Sequence, residues 1–291
     1  MIAQNPIHKE HRWASQGAIL LCAVLWSTSG LFIKLVNWHP VLIAGSRSLL
    51  AAFFLLALRR CSPVRNSGRG TLPVIVCSGL CYAATMILFV TANKLTASAN
   101  AILLQYTAPV WAALLGWFFL REKPHWEQWT ALALVSLGMF LVFRSGLAAG
   151  SLLGDLIALV SGLTFGANSV LMRMQKDGSP AGIMISAHIT TILFSIPFFF
   201  LYPPSISAGN VVSILFMGIF QIGAASALFA FGIRRVPAVQ AMLTATVEPV
   251  LNPVWVLLVT GERPALSVIA GGGVITGAVV FSSLMGKHSG R

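Results

Sequence analysis

Charged residues are scarce in this sequence: Asp, Glu, Lys and Arg make up 9% of the 291 residues, while hydrophobic residues make up 57%. Soluble domains usually carry about 25% charged residues, so this scarcity excludes a soluble globular protein. The four cysteines stand at positions 22, 61, 77 and 81 and indicate neither a disulfide nor a metal site. The H-E-x-x-H, G-x-S-x-G and P-loop motifs are also absent, which argues against an enzyme and against an ATP-binding module.

Long apolar runs fill the chain instead, separated by short polar joints. A helix rises about 1.5 Å per residue, so about 20 residues cross the roughly 30 Å of bilayer hydrocarbon. Backbone polar groups in lipid must be paired within the segment, which favours helices over strands. The sequence predicts an all-α integral membrane protein with ten transmembrane helices. The predicted spans are residues 16–36, 40–58, 71–92, 97–120, 127–143, 153–172, 180–201, 211–232, 237–260 and 265–285.

The basic residues predict the orientation of these spans. With the N-terminus in the cytoplasm, 14 Lys and Arg residues fall in cytoplasmic segments and 4 on the opposite side, and Arg47 lies within a span. The positive-inside rule therefore predicts a multi-pass membrane protein with both termini in the cytoplasm. The net charge of +12 reflects this topology and not nucleic-acid binding. Residues 1–15 and 287–291 are predicted to be cytoplasmic segments, and the first span a retained helix rather than a signal peptide.

The two halves of the chain repeat the same pattern. Pro109 and Pro249, and likewise Glu122 and Glu262, are separated by 140 residues, and Gly79 and Gly218 by 139. The predicted repeats cover residues 16–146 and 147–286, with five spans each. Because five is odd, the second copy crosses the membrane in the opposite direction to the first. Such inverted repeats are typical of secondary transporters, in which the substrate site lies near the midplane between the repeats.

The ends of the repeats carry the most specific motifs, Q-Y-T-A-P-V-W-A-A-L-L-G-W-F-F-L-R-E-K-P and T-V-E-P-V-L-N-P-V-W-V-L-L-V-T-G-E-R-P. Together with W-S-T-S-G-L-F-I-K in the first span and Arg47 in the second, they resemble the EamA family of the drug/metabolite transporter superfamily. Its bacterial members include YddG-type amino acid exporters. The resemblance implies a central cavity lined by spans 1, 3, 4, 6, 8 and 9 and no ATP-binding module. We expect a protein of the bacterial inner membrane that works by alternating access and has no cofactor.

The ninth predicted span carries a polar stripe. Its members recur at helical spacing on one face and are Gln240, Thr244, Glu248, Asn252 and Trp255. Glu248 is the only carboxylate deep within a span, where a charged group costs about 2.5–3.5 kcal/mol. It therefore suits a proton-coupled step or the binding of an amine. The alternative is a packing residue that hydrogen-bonds the backbone freed by Pro249 and Pro253.

Two further ionisable residues lie inside spans. Arg47 could bind a substrate carboxylate, or it could anchor its helix. His188 occupies the matching point of the seventh span, 141 residues later, as a coupling residue or a packed one. The remaining candidates for a cavity lining are polar or aromatic side chains in spans 1, 3, 4, 6 and 8: Trp26, Tyr82, Asn100, Trp111, Asn168 and Gln221.

These observations predict an exporter of small metabolites, most of all amino acids, including aromatic or apolar ones. The alternative is a multidrug or organic-cation exporter, because Glu248 among aromatic side chains could hold a cation. A channel is less well supported, since no ring of repeated charges is present. The expected partners are a small-molecule substrate and the lipid bilayer, with no nucleic acid and no metal, and we expect a monomer.

Two glycine pairs, Gly162–Gly166 and Gly273–Gly277, predict close helix approach.

Overall fold

The structure is a computed structural model, and it describes residues 6–61, 71–96, 98–143, 151–176, 179–260 and 266–285. These residues are almost entirely helical, and none of them lies in a strand. The helices are α1 (Pro6–Trp26), α2 (Ser29–Leu35), α3 (Pro40–Cys61), α4 (Leu72–Leu95), α5 (Ser98–Gln105), α6 (Ala108–Leu120), α7 (Trp126–Phe143), α8 (Leu152–Met174), α9 (Pro180–Leu201), α10 (Ala208–Phe216), a π-helical segment (Met217–Ala224), α11 (Ala225–Gly232), α12 (Ala238–Ala245), α13 (Val247–Thr260) and α14 (Leu266–Met285). The predicted all-α class is confirmed.

Seven helical stretches within the described residues are long and apolar enough to cross a membrane. They are Trp13–Ile33, Pro40–Arg60, Leu72–Leu95, Ala101–Leu120, Leu152–Met174, Pro180–Leu201 and Ala208–Gly232. Two shorter apolar stretches, Ala238–Leu251 and Ile269–Ser282, fall in the ninth and tenth predicted spans. The fifth predicted span, 127–143, coincides with α7. The count of ten crossings stays a prediction.

The outer surface of the helices is apolar, and the interior holds many of the polar groups. Phe118 and Phe200 are 79% and 84% exposed, as side chains in contact with lipid tails would be. Arg47, Asn168 and His188 are by contrast fully or almost fully buried. Polar residues in membrane helices normally face the interior of the bundle, where they can find partners or line a pathway for a solute.

The packing of the helices follows the repeat. Spans that occupy the same place in each half pack against each other: α3 of the second span packs against α9 of the seventh, α6 of the fourth against α12 of the ninth, and α7 of the fifth against α14 of the tenth. The contact of α4 with α8, which joins the third and sixth predicted spans, has its counterpart in the contact of α11 with α1, which joins the eighth and first. Exchanging the two halves therefore reproduces these contacts.

Two of the predicted spans, the fourth and the ninth, are broken at equivalent positions. The helix is interrupted at Tyr106 and Thr107 between α5 and α6, and at Thr246 between α12 and α13. Tyr106 and Thr246 are 140 residues apart, which is the spacing of the repeat. The cause is a proline: it lacks an N–H, and its ring clashes with the carbonyl four residues earlier. The carbonyls four residues before Pro109 and Pro249 belong to Gln105 and Ala245, where α5 and α12 end.

One predicted glycine contact is confirmed and the other is wrong. A Cβ atom on Gly166 would lie 2.7 Å from the carbonyl oxygen of Ala108, and one on Gly162 would lie 2.8 Å from that of Gln105. These glycines therefore let α8 approach the broken fourth span closely. Gly273 and Gly277 have open space where a Cβ would stand, because they lie on an exposed face of α14.

Candidate functional site

The two helix breaks meet at a hydrogen bond between Tyr106 and Glu248. The Tyr106 hydroxyl lies 2.6 Å from Glu248 Oε2 and 3.0 Å from the carbonyl oxygen of Ala245, so it can donate to either. Both side chains are buried, and Glu248 lies in the first turn of α13. The side chain of one break thus reaches the free backbone carbonyl and the carboxylate of the other. This contact lies between the two repeats.

Arg47 in α3 is held by Gln221 in the π-helical segment. Arg47 Nη2 donates to Gln221 Oε1 over 2.7 Å, and both side chains are buried. The π-helix places one extra residue in a turn, and such segments recur at functional sites. The close packing of α3 on this segment is allowed by Gly218, whose missing Cβ would lie 2.5 Å from Leu50 Cβ. Arg47 and Gln221 were predicted separately, and the structure brings them together.

His188 and Tyr82 form a second polar group beside Arg47. The His188 ring lies edge-on to Tyr82 with 4.9 Å between ring centroids, and His188 Nε2 is 3.1 Å from Ser226 Oγ. The helix that carries Arg47, α3, packs against both α9, which carries His188, and α4, which carries Tyr82. Arg47 and Glu248 form no ion pair with each other. The one ion pair among the described residues joins Arg173 to Glu122.

Aromatic and amide side chains complete the interior. Trp26 lies 5.5 Å from the rings of both Phe165 and Phe229. Asn168 Oδ1 accepts a hydrogen bond of 2.7 Å from Ser78 Oγ, which joins α8 to α4. Trp111 is half-buried, and its Cβ packs against Gly166.

The polar stripe of the ninth span does not point in one direction. Gln240 Oε1 accepts a hydrogen bond of 2.8 Å from Ser282 in α14, whereas Glu248 turns towards Tyr106. Trp255 Nε1 donates to Ser27 Oγ at the end of α1, over 2.7 Å. The helix break at Thr246 separates Gln240 and Thr244 from Glu248, so regular helical spacing does not hold across it. The side chains of Asn100 and Asn252 lie outside the described part of the chain.

Sequence reasoning did not single out Tyr106 or Ser226 as members of the site. A signal for Tyr106 was present: it lies three residues before Pro109, and its counterpart at the repeat spacing, Thr246, lies three residues before Pro249. Ser226 has no comparable signal, since it is one of many small residues on an apolar helix. Within the described ranges, no group of three His, Cys, Asp or Glu side chains could hold a metal ion.

Comparison with known proteins places the whole chain among transporters. The model of the EamA-like transporter family matches residues 15–144 and, a second time, residues 152–284. An uncharacterized transporter of Bacillus subtilis, YwfM, is 28% identical over 262 residues, which cover 84% of this chain and 85% of that protein. An uncharacterized transporter of Archaeoglobus fulgidus is 25% identical over 268 residues, 92% of this chain and 95% of its own length.

A mammalian relative and a solved structure complete the comparison. Solute carrier family 35 member G1 of mouse is 28% identical over 138 residues, which cover 45% of this chain and 36% of that protein. One crystal structure superposes on 95% of this chain and 99% of its own with a TM-score of 0.80 at 18% identity, which establishes a shared fold.

Proposed function

This chain belongs to the EamA-like transporter family, and from that premise we propose that it is a secondary transporter that exports amino acids by alternating access. It is a multi-pass membrane transporter and not an enzyme, as its family and its transporter-named relatives show. The proposal concerns the solute, the direction and the mechanism.

We further propose that the chain forms ten transmembrane helices in two inverted five-helix repeats, with both termini in the cytoplasm of a bacterium. Three observations support this arrangement. The family model matches each half separately, equivalent spans of the two halves pack together, and the two helix breaks are 140 residues apart. The positive-inside distribution of the basic residues supports the orientation and a place in the inner membrane.

The observation that carries the proposal is the contact of the two broken helices through Tyr106 and Glu248. Discontinuous helices in corresponding positions of two repeats are a hallmark of substrate sites in secondary transporters. The breaks leave backbone carbonyls without helical partners, and these groups are stable in a membrane only where protein or water satisfies them. A solute held at this point would contact both repeats at once. Movement of one repeat against the other would then expose it to alternate sides.

The chemistry of the interior favours a small zwitterion. Arg47 and Glu248 are both buried within predicted spans, and they form no ion pair with each other. A sugar phosphate would need several intramembrane cations. Aromatic side chains such as Trp26 and Tyr82 suit aromatic or apolar amino acids. We assign the substrate-facing role to polar and aromatic side chains of the interior, namely Trp26, Tyr82, Trp111, Asn168, Gln221, Gln240 and Glu248.

Counterflow into proteoliposomes tests this function. The purified chain is reconstituted with an unlabelled solute inside, and uptake of the labelled solute is measured for amino acids, amines, nucleosides and sugar phosphates. Saturable counterflow of amino acids is the expected result. Counterflow of nucleosides or sugar phosphates alone would rule the proposal out.

A second candidate, export of organic cations, follows from one observation: among the described residues, no basic side chain pairs with buried Glu248. The same panel separates the two functions. Counterflow of amines and quaternary ammonium compounds without amino acids would identify the cation exporter.

A further inference from the structure

Arg47 is the largest of the fully buried side chains in the described part of the chain, with 1% of its surface exposed. Its guanidinium carries five N–H groups, and its one hydrogen bond runs from Nη2 to Gln221. The other two nitrogens, Nε and Nη1, have no hydrogen-bond partner in the protein. Burying charged donors without acceptors is strongly unfavourable, so this arrangement calls for a reason.

No carboxylate of the described residues neutralises Arg47. Glu248 is engaged by Tyr106, and Glu122 by Arg173. Gln221 supplies an acceptor but no negative charge. A buried charge without a counter-charge destabilises a protein, and inside a membrane such residues mark the path of a substrate or ion. A purely structural arginine would be expected to have its nitrogens satisfied.

The surroundings of Arg47 contain a second unpartnered group. His188 is fully buried and uses Nε2 for Ser226, while its Nδ1 has no partner. The Tyr82 ring contacts His188, and α3, which carries Arg47, packs against the helices of both residues, so these groups lie in one region of the interior. They come from three different helices, α3, α9 and α4. Three unpartnered buried nitrogens, Arg47 Nε and Nη1 and His188 Nδ1, therefore lie in this region.

We propose that Arg47, held in place by Gln221, binds the carboxylate group of the transported solute. This inference rests on the proposed function and adds to it the residue that recognises the acid end. A carboxylate offers two oxygens with about four acceptor sites, so it satisfies unpaired guanidinium N–H groups and cancels the charge. A singly charged anion matches a single cation, whereas a phosphate dianion would leave one negative charge uncompensated. The ammonium end of the same molecule would face Glu248.

The test uses matched series of ligands that differ only at the carboxylate. Thermal stabilisation of the purified full chain is measured with phenylalanine, phenylalaninamide and phenethylamine, and again with leucine, leucinamide and isoamylamine. A ligand that binds the folded state raises the melting temperature. Counterflow of the same compounds is measured in parallel. The variants are Arg47→Gln, which removes the charge, and Gln221→Glu, which places a carboxylate of nearly identical shape against the guanidinium.

We expect the free acids to stabilise the native chain most strongly. Both variants should lower the affinity for the acids by about 10- to 100-fold and leave the affinity for the amides and amines close to that of the native chain. In Gln221→Glu the protein's own carboxylate competes with that of the ligand, so this variant tests the proposal even if Arg47→Gln does not fold. Asn93→Asp is the control, since it turns another fully buried amide into a carboxylate at the far end of α4.

The outcomes separate this inference from the proposed function. Suppose that the native chain exchanges amino acids, but the variants lose affinity for the acids and the amides equally, or for neither. Arg47 then does not bind the carboxylate, and the transport function stands. If the native chain exchanges no amino acid but is stabilised by acids in an Arg47-dependent way, the carboxylate site stands and the proposed function fails. Absence of any stabilisation of the native chain by these acids overturns the inference.

Discussion

Glu248 shows how one residue can have two explanations that the structure unites. The sequence left open whether it binds a solute or satisfies the backbone freed by Pro249. In the structure its partner is Tyr106, which also reaches the freed carbonyl of Ala245. The carboxylate therefore lies at the break itself. A change at Glu248 tests whether this position takes part in transport beyond bracing the helix.

Glu248→Gln should leave the protein folded and reduce counterflow of amino acids about tenfold or more. The reason is that glutamine can still accept the Tyr106 hydrogen bond but has no charge to bind an ammonium group, and a charge-assisted hydrogen bond is worth about 1.5–3 kcal/mol. Initial rates of counterflow in proteoliposomes measure the effect. Glu127→Gln serves as the control, because Glu127 is also buried but lies in the first turn of α7, away from the helix breaks. Native counterflow rates in a folded Glu248→Gln protein would show that Glu248 has only a structural role.

At the scale of the elements, the packing of α8 against α6 depends on the absence of a side chain at Gly166. Gly166→Ala should destabilise the protein by about 1–3 kcal/mol, because the new Cβ would lie 2.7 Å from the Ala108 carbonyl and 2.8 Å from Trp111 Cβ. Gly273→Ala should be neutral or stabilising, since that position is open and alanine is the better helix former. Thermal unfolding in detergent compares the two. Equal melting temperatures would mean that α8 and α6 are not in close contact.

The ends of three helices are joined by Arg173. Its Nε donates to Glu122 Oε1 over 3.0 Å, and its Nη1 donates to the carbonyls of Ile233 and Arg234. Arg173 is buried, whereas Glu122 is partly exposed, so the ion pair itself is screened by solvent.

Removing Arg173 should therefore cost more than removing its acidic partner. We expect Arg173→Gln to lower the melting temperature clearly and Glu122→Gln to lower it only slightly, because the arginine also satisfies two backbone carbonyls. Arg235→Gln, at an exposed position nearby, should have no effect. The reverse order of the first two variants would show that the ion pair, and not the backbone contacts, holds these ends together.

At the scale of the whole molecule, the predicted orientation decides which surfaces face the cytoplasm. In a cysteine-free background, a membrane-impermeant maleimide applied to intact cells should label Ile206→Cys, which lies in the predicted periplasmic joint and is 86% exposed. Arg121→Cys, in a predicted cytoplasmic joint, should react only after permeabilisation. Labelling of a cysteine added at the C-terminus in intact cells would contradict the orientation and the inverted repeat together.

Much of the architecture could be predicted from the sequence because it depends on one-dimensional properties. The length of an apolar run decides whether a helix crosses the membrane, and the spacing of Pro109 and Pro249 shows the repeat. The positions of the helix breaks also follow from these prolines, since a proline acts on its own helix. The number of crossings is harder to predict from the sequence, because not all of the apolar helical stretches are as long as a bilayer crossing requires.

The partners of the buried polar residues were decided only by the tertiary structure. The rotation of each helix about its axis is set by packing against its neighbours and not by its own sequence. The sequence therefore placed Arg47, His188 and Gln221 inside spans without showing that Gln221 meets Arg47. It treated Gly273 like Gly166, although only Gly166 lies at a helix crossing. Regular helical spacing also predicted one continuous polar stripe from Gln240 to Glu248. Because the helix breaks at Thr246, these two side chains contact different partners instead. The sequence by itself determined that the protein lies in a membrane, that its two halves repeat and which family it belongs to. The tertiary structure decided which side chains meet between the repeats.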